Sequence, residues 1–312
     1  MLPDNWRELS YRKLDLDDHT LDKNLPEYKT PLQRKPAKRN AGVLETLPLE
    51  LLQLILARAI ARYGQNALRG SLAINTAANI YVEKLHQQLF KKSCENCGAF
   101  APYLYFITCA RVCFLCLSEA DQYCPLEFNL IKRKYGLDSK VIQPMPQMRC
   151  LPGVYSPSGR KIRIASALYD AGSALRAAVT YHGSSDNVKT YIENVRSESM
   201  ALYDRKTREA TKPSSRLSRV LSRLQESARL IPFDRKSSNR FRFVAVVELP
   251  VINKSSKAVD WGFYCKACRN ANKLPRHWRV RYDEETFEQH ILACGSIEHG
   301  IHQAPVSLSG TT

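Results

Sequence analysis

No stretch of this chain is long and apolar enough to cross a bilayer. The most apolar long segment, Leu47 to Ala61, is interrupted by Glu50, Gln53 and Arg58 and falls short of the ~20 residues a spanning helix needs. The opening string MLPDNWRELSYRK lacks the apolar core of a secretory signal. The reading is therefore an intracellular chain, cytoplasmic or nuclear, with no membrane partner. Also missing are a P-loop, G-x-G-x-x-G, G-x-S-x-G and H-E-x-x-H, so nucleotide, hydrolase and zincin chemistry have no foothold and no enzyme is expected. The sequon Asn253-Lys254-Ser255 carries no weight without secretion. Acidic residues are the scarcer charge: 47 Lys and Arg stand against 30 Asp and Glu, a formal net charge of +17. That invites a nucleic-acid reading. However, residues 205–242 alone hold twelve Lys/Arg against three Asp/Glu, so much of the excess falls in what reads as a linker.

What the chain does have is ten cysteines. In a reducing compartment, C-x2-C pairs hold metal more often than they form disulfides. Cys94-x2-Cys97 is followed after fifteen residues by Cys113-x2-Cys116, and Cys265-x2-Cys268 after twenty-one residues by His290-x3-Cys294. A tetrahedral Zn²⁺ needs four soft or borderline ligands at about 2.0–2.3 Å, and a C-x2-C knuckle supplies two thiolates from one turn. His290 and Cys294 lie four apart in a helical segment, hence on one face. The expectation is two structural Zn²⁺ sites: Cys94, Cys97, Cys113 and Cys116, then Cys265, Cys268, His290 and Cys294. Four protein ligands leave no open position for substrate, and no catalytic residue is assigned. Cys109, Cys124 and Cys150 are left over. Cys109 lies close enough to Cys113 to substitute as a ligand, though a small buried hydrophobe is the simpler reading. His86 reads as a surface or packed residue, and His299 and His302, three apart with no matching second pair, read as surface residues.

Residues 1–41, polar, Pro-rich and carrying the basic run Arg34–Arg39, read as a disordered arm. Residues 42–92 read as helical: Leu47, Leu51, Leu54 and Ile55 form an apolar stripe, with Pro48 in the first turn. Residues 93–183 form a zinc-knuckle module with a strand at Tyr103–Ile107, a helix from Pro125 to Tyr135 ended by Gly136, and an Ala-rich helix from Leu168 to Thr180. Residues 184–240 read as a basic linker holding an amphipathic helix, Ser215 to Ile231. Residues 241–303 read as a β-hairpin of Phe241–Leu249 with Val259–Tyr264, a short strand at His277–Arg281, and a finger helix capped by Asp283 and ended by Gly295. Residues 304–312 are a tail. The class is α+β: N-terminal helices, a zinc-ribbon-like segment, and a C-terminal hairpin with a zinc-stapled helix.

The strings SCENCG and YFITCARVCFLCL (Ser93 to Leu117), KRKYGL (Lys132 to Leu137) and LPGVYSP (Leu151 to Pro157) resemble a family of ascomycete fungal F-box proteins. So do RFVAVVELP, VDWGFYCKACR and the closing ETFEQHILACGSIEHG. The resemblance spans roughly residues 42–303. It implies a substrate receptor of a Skp–cullin–F-box ubiquitin ligase, in which Leu47, Pro48, Leu51, Leu52 and Ile55 meet the Skp-family linker subunit and the remainder recruits an unidentified protein target. The F-box opening runs almost at once into YGQNALRGSLAINTAANIYVEKL, so the motif is truncated and the expected Skp contact is weak. The alternative is a basic, zinc-stabilised nucleic-acid-binding protein. Against it, the finger helix carries Asp283, Glu284, Glu285 and Glu288 and no Lys or Arg, the wrong charge for a groove lined by phosphates.

Overall fold

A computed structural model describes residues 6–11, 20–24, 82–155, 161–209, 239–253, 256, 258–270 and 277–303. The F-box-like residues Leu47, Pro48, Leu51, Leu52 and Ile55 and the amphipathic stretch Ser215 to Ile231 lie outside the described residues. Helices and short antiparallel strands alternate, so the chain is α+β as expected. Strand β1 (Ser10–Tyr11) precedes a 3-10 turn at Leu21–Asn24 and helix α1 (Val82–Phe90). The hairpin β2 (Tyr103–Tyr105) and β3 (Ala110–Val112) leads into α2 (Phe114–Glu119). Next come β4 (Leu126–Glu127), α3 (Phe128–Tyr135), α4 (Ser139–Ile142), β5 (Gln147–Arg149), β6 (Gly153–Val154), β7 (Lys161–Ile162) and β8 (Ala167–Tyr169). Strand β8 pairs with both β4 and β5, and β7 with β6. Helices α5 (Ala171–His182) and α6 (Ser185–Glu209) follow. Strand β9 (Val246–Glu248) returns to pair with β2. The C-terminal part holds β10 (Val251–Ile252), β11 (Val259–Asp260), β12 (Phe263–Cys265), α7 (Lys266–Asn270), β13 (Arg281–Tyr282), α8 (Glu284–Cys294), β14 (Ile297–Glu298) and β15 (Ile301–His302).

Three apolar clusters organise these elements. The largest lies around β3-β2-β9, where Tyr103, Leu104, Tyr105, Phe106 and the run Phe243 to Val247 are buried together with Leu85 and Leu89 of α1. Each such side chain contributes roughly 1.5–3 kcal/mol by leaving water. The second cluster packs α3, α4, α5 and α6 through Ile131, Tyr135, Ile142, Ala174, Ala178 and Val188. The Asp170 side chain accepts from the Ser173 amide at 2.6 Å and starts α5. The third cluster is small: Phe263, Cys265, Ala267, Cys268, Tyr282 and Phe287, with Trp6 and Leu9 against it.

Arg111 of β3 is fully buried inside the largest cluster. Its guanidinium donates to the carbonyls of Gln88 (2.8 Å), Ala101 (3.0 Å), Leu249 and Pro250. It thereby ties α1, the knuckle segment and the end of β9 to one point. Burial pushes its pKa down to about 9, above neutral, so the group stays charged.

Five sequence readings are corrected here. Residues 1–41 are not wholly a disordered arm. Ser10 and Tyr11 pair with Cys265 and Tyr264, Trp6 lies 4.7 Å from the Phe263 ring, and Leu21 is fully buried. These anchors are single apolar residues scattered through a polar stretch, which average composition hides. Residues 184–240 are not simply a linker, because Ser185–Glu209 is a 25-residue helix with Val188 buried in the second cluster. The run Phe241–Leu249 does not pair with Val259–Tyr264. Its strand part, β9, completes the first sheet beside β2, while a shorter hairpin joins β10 to β11. The boundary drawn at residue 241 therefore cuts through a sheet. Finally, Leu168 belongs to β8, and His277–Arg279 is a 3-10 turn ahead of β13.

Replacing Arg111 by Ala leaves four buried carbonyls short of a donor, each worth about 1–3 kcal/mol when unsatisfied. Arg111→Ala is expected to lower the urea midpoint by the equivalent of about 3 kcal/mol or more. A loss under about 1 kcal/mol would show that the four carbonyls find other partners.

Candidate metal centres

The first knuckle is held before any ion is considered. Cys94 and Ala99 close a tight turn, the Cys94 amide donating to the Ala99 carbonyl at 2.7 Å. The Asn96 amide points at Cys94 Sγ (3.5 Å), and Asn96 Nδ2 donates to Cys116 Sγ (3.3 Å). Gln122 Nε2 holds Asn96 in place through its Oδ1 at 2.9 Å. The second pair comes from the start of α2. Cys113 is its N-cap, and its sulfur accepts from the Cys116 amide at 3.5 Å. Strand pairing of β2 with β3 carries Cys113 back to the first knuckle, where its sulfur lies 3.6 Å from that of Cys97. All four sulfurs of Cys94, Cys97, Cys113 and Cys116 lie within 4.8 Å of one another, so this cluster could hold a metal ion. Sulfurs on a tetrahedral ion with 2.3 Å bonds stand about 3.8 Å apart.

The protonation of these thiols is strongly divided. Hydrogen bonds with Cys113 and Cys116 pull the Cys94 thiol far below its usual range. Cys113 is pushed far up by its bonds to Cys116 and Cys94 and by burial. Cys116 is pulled down by Cys113 but pushed up by Cys94 and by burial, and ends at about 12. Hydrogen bonds among these thiols thus favour one thiolate at the expense of its neighbours.

The second cluster differs from the sequence reading in one ligand. Cys265, at the end of β12, Cys268 in α7 and His290 in α8 converge as expected, but the fourth member is His302 of β15, not Cys294. Cys268 Sγ lies 3.3 Å from His290 Nε2 and 3.4 Å from His302 Nε2, and Cys265 Sγ lies 3.4 Å from His302 Nε2. The Cys268 amide points at Cys265 Sγ (3.4 Å), repeating the amide-to-sulfur contact of the first centre. Cys265 is pulled down to about 4 by its hydrogen bond with Cys268, against burial and with help from His290.

Both imidazoles are fixed by what their other nitrogen touches. His302 Nδ1 lies 2.9 Å from the Gly295 carbonyl. A carbonyl only accepts, so in the neutral ring the proton sits on Nδ1 and Nε2 presents a bare lone pair to the sulfurs. His290 Nδ1 lies 3.1 Å from the Tyr282 hydroxyl, and the ring stacks on Tyr282 at 4.4 Å. With Nδ1–H donating to that oxygen, His290 Nε2 likewise presents a lone pair to the sulfurs. Such outer partners orient metal-ligating histidines and set their tautomer.

Cys294 misses the centre for a local reason. It is the last residue of α8, the Gly295 amide caps back on the Ile291 carbonyl at 2.8 Å, and the chain then leaves the helix axis. A two-residue loop follows. Ile297 pairs with His302 and Glu298 with Ile301, and His299 (φ 52°) and Gly300 (φ 75°) both take the left-handed conformation. That is the type I′ geometry that suits tight hairpins, and it delivers His302 to the sulfurs. Asn270 Nδ2 anchors the loop through the Gly300 carbonyl at 3.1 Å. The signal was present in the sequence as an x-Gly pair, His299-Gly300, flanked by β-branched Ile297 and Ile301. The remaining cysteines behave as packing groups: Cys109, Cys124 and Cys150 are buried, and burial pushes Cys109 and Cys150 up to about 11.

The ligand exchange separates two variants. His302→Ala is expected to weaken metal at the second centre on the order of 100-fold or more, while Cys294→Ala leaves it within about threefold. Chelator competition on each purified variant reads this directly, and the reverse ranking would restore Cys294 as the ligand.

Comparison with known protein families, with curated proteins and with solved structures finds no match for this chain.

Proposed function

We propose that the chain is a non-enzymatic protein-interaction adaptor whose folded surface is set by two structural Zn²⁺ ions. The observation that carries this reading is that each cluster gathers four protein donors, Cys94, Cys97, Cys113 and Cys116 in one and Cys265, Cys268, His290 and His302 in the other. A tetrahedral ion so held keeps no position for water or substrate. Sulfur-rich donor sets with imidazole favour Zn²⁺ over the oxygen-seeking cations. The F-box-like strings support the finer reading, a substrate receptor that touches a Skp-family subunit through Leu47, Pro48, Leu51, Leu52 and Ile55 and recruits a protein target. The compact motif offers few large apolar side chains, whereas a stable interface needs roughly 1,200 Å², so the Skp contact is weak.

Elemental analysis of the purified chain is expected to return two zinc ions. Their removal by chelator at mildly acid pH, where thiol and imidazole ligands take up protons as the metal leaves, is expected to abolish cooperative unfolding of the C-terminal part from β12 to β15, residues 263–302. One zinc, or an unfolding curve untouched by its removal, would end the structural reading. Titration against a purified Skp-family subunit, beside a duplex DNA titration at varied salt, separates the adaptor from its alternative. Weak Skp binding lost in Leu51→Asp supports the adaptor, and salt-sensitive DNA binding without it supports a nucleic-acid protein.

A further inference from the structure

A cavity of about 630 Å³ lies between the β10–β11 ribbon, the start of α8 and the N-terminal segment. Much of its wall is apolar: Trp6, Phe90, Val251, Ile252, Val259 and Phe263 line it. Trp6 packs against Phe263 with ring centroids 4.7 Å apart. Val259 keeps 36% of its surface exposed, so the groove reaches solvent. Covering such apolar area is favourable.

Its rim is acidic. Asp260 comes from β11, and Asp283, Glu284 and Glu285 come from the start of α8. Lys92 is the one cation among the described lining residues, and it already pairs with Asp283 at 3.0 Å and Glu285 at 2.6 Å. Arg7 lies 5.5 Å from the Trp6 ring centroid without lining the cavity. Four carboxylates and one ammonium leave a formal charge of −3 on the lining, in a chain whose formal charge is +17. Part of this acidity has a local use. Asp283 caps α8 through the Thr286 amide at 2.8 Å, and Glu284 and Glu285 suit the positive end of the helix. Asp260 accepts from the Gly262 amide at 2.8 Å. Amide donors and a helix end leave carboxylates charged, and Glu284 and Glu285 are exposed.

An occupant has to answer both features. A phosphate backbone or an acidic peptide meets the wrong charge. A purely apolar segment would desolvate the carboxylates without pairing them. Lysine or arginine beside a large apolar side chain answers both, the apolar group resting on Ile252, Val259 and Phe263 and the cations reaching Asp260 and Glu284.

We propose that this groove docks a basic protein segment in which lysine or arginine flanks an apolar anchor. The inference deepens the adaptor reading and rests on it, naming the chemistry of the target segment. The contact is small, so the docking is weak and rapidly exchanging.

The test is a fluorescence-anisotropy titration of the full chain, with zinc measured on the same sample. The probe is a labelled peptide in which two arginines and two lysines surround one leucine. Binding is expected at low salt, weakens as salt rises, and is lost when the four cations are replaced by glutamine. Glu284→Lys is expected to weaken it about tenfold, and Val259→Ser several-fold. Both positions are exposed, so melting temperature and zinc content should stay at the wild-type values. Glu198→Lys, an exposed change on α6, should leave binding within about twofold. No binding up to about 1 mM peptide at low salt, or an equal loss from Glu284→Lys and Glu198→Lys, would overturn the proposal. So would a rise above about tenfold when Lys254 and Lys257, which lie in sequence between the lining residues Asn253 and Ala258, are both replaced by glutamine, since this chain's own loop would then be the occupant. With two zinc ions and no peptide binding, the docking alone fails. With no zinc but peptide binding that depends on Glu284, the docking stands and the structural-zinc reading fails.

Discussion

Thiolates packed at hydrogen-bond range cannot all ionise unless a cation sits between them. Two such charges at the 3.6 Å separation of Cys97 and Cys113 repel by about 4–5 kcal/mol at an effective dielectric of about 20. Four of them without a cation would cost more than a small module's core supplies. With a divalent ion the same geometry becomes the strongest constraint in the neighbourhood. The knuckle turn, the N-cap of α2 and the β2–β3 hairpin then converge on one coordination sphere.

The need is greatest in the C-terminal module. Its apolar cluster has six buried members, two of which, Cys265 and Cys268, belong to the metal cluster. The elements it joins are short, β12 to β15 contributing two or three residues each. Strands of that length do not hold a fold by themselves. Trp6 and Tyr11 from the N-terminal segment extend the module, Trp6 packing tilted against Phe263 and Tyr11 stacking on Tyr264. Contacts at Arg281–Glu248 and Lys92–Asp283 bind it to the first sheet and to the segment that follows α1. Gly262 (φ +67°) closes the gap, since a Cβ there would meet the Phe100 ring at 2.5 Å.

Local chemistry was legible in the sequence and long-range pairing was not. The first cluster was readable because both knuckles are contiguous C-x2-C pairs. The Asp283 cap and the Gly136 and Gly295 helix ends were readable because each depends on neighbours within four residues. His302 escaped because Cys294 offered the familiar helical spacing, and only the left-handed His299-Gly300 turn reveals the longer route. The pairing of β9 with β2 escaped because Tyr103–Tyr105 and Val246–Glu248 are more than a hundred residues apart, and a buried apolar run gives no hint of its partner. Arg111 and Arg279 escaped for the opposite reason, since an arginine in a basic chain reads as surface until its carbonyl or ring partners are in place.

X-ray absorption at the zinc edge tests the ligand sets most directly. Six cysteines and two histidines shared between two ions predict an average of about three sulfur neighbours near 2.3 Å and one nitrogen near 2.0 Å per zinc. An average of about three and a half sulfurs and half a nitrogen would put Cys294 back in place of His302. Oxygen neighbours would contradict closed structural centres altogether.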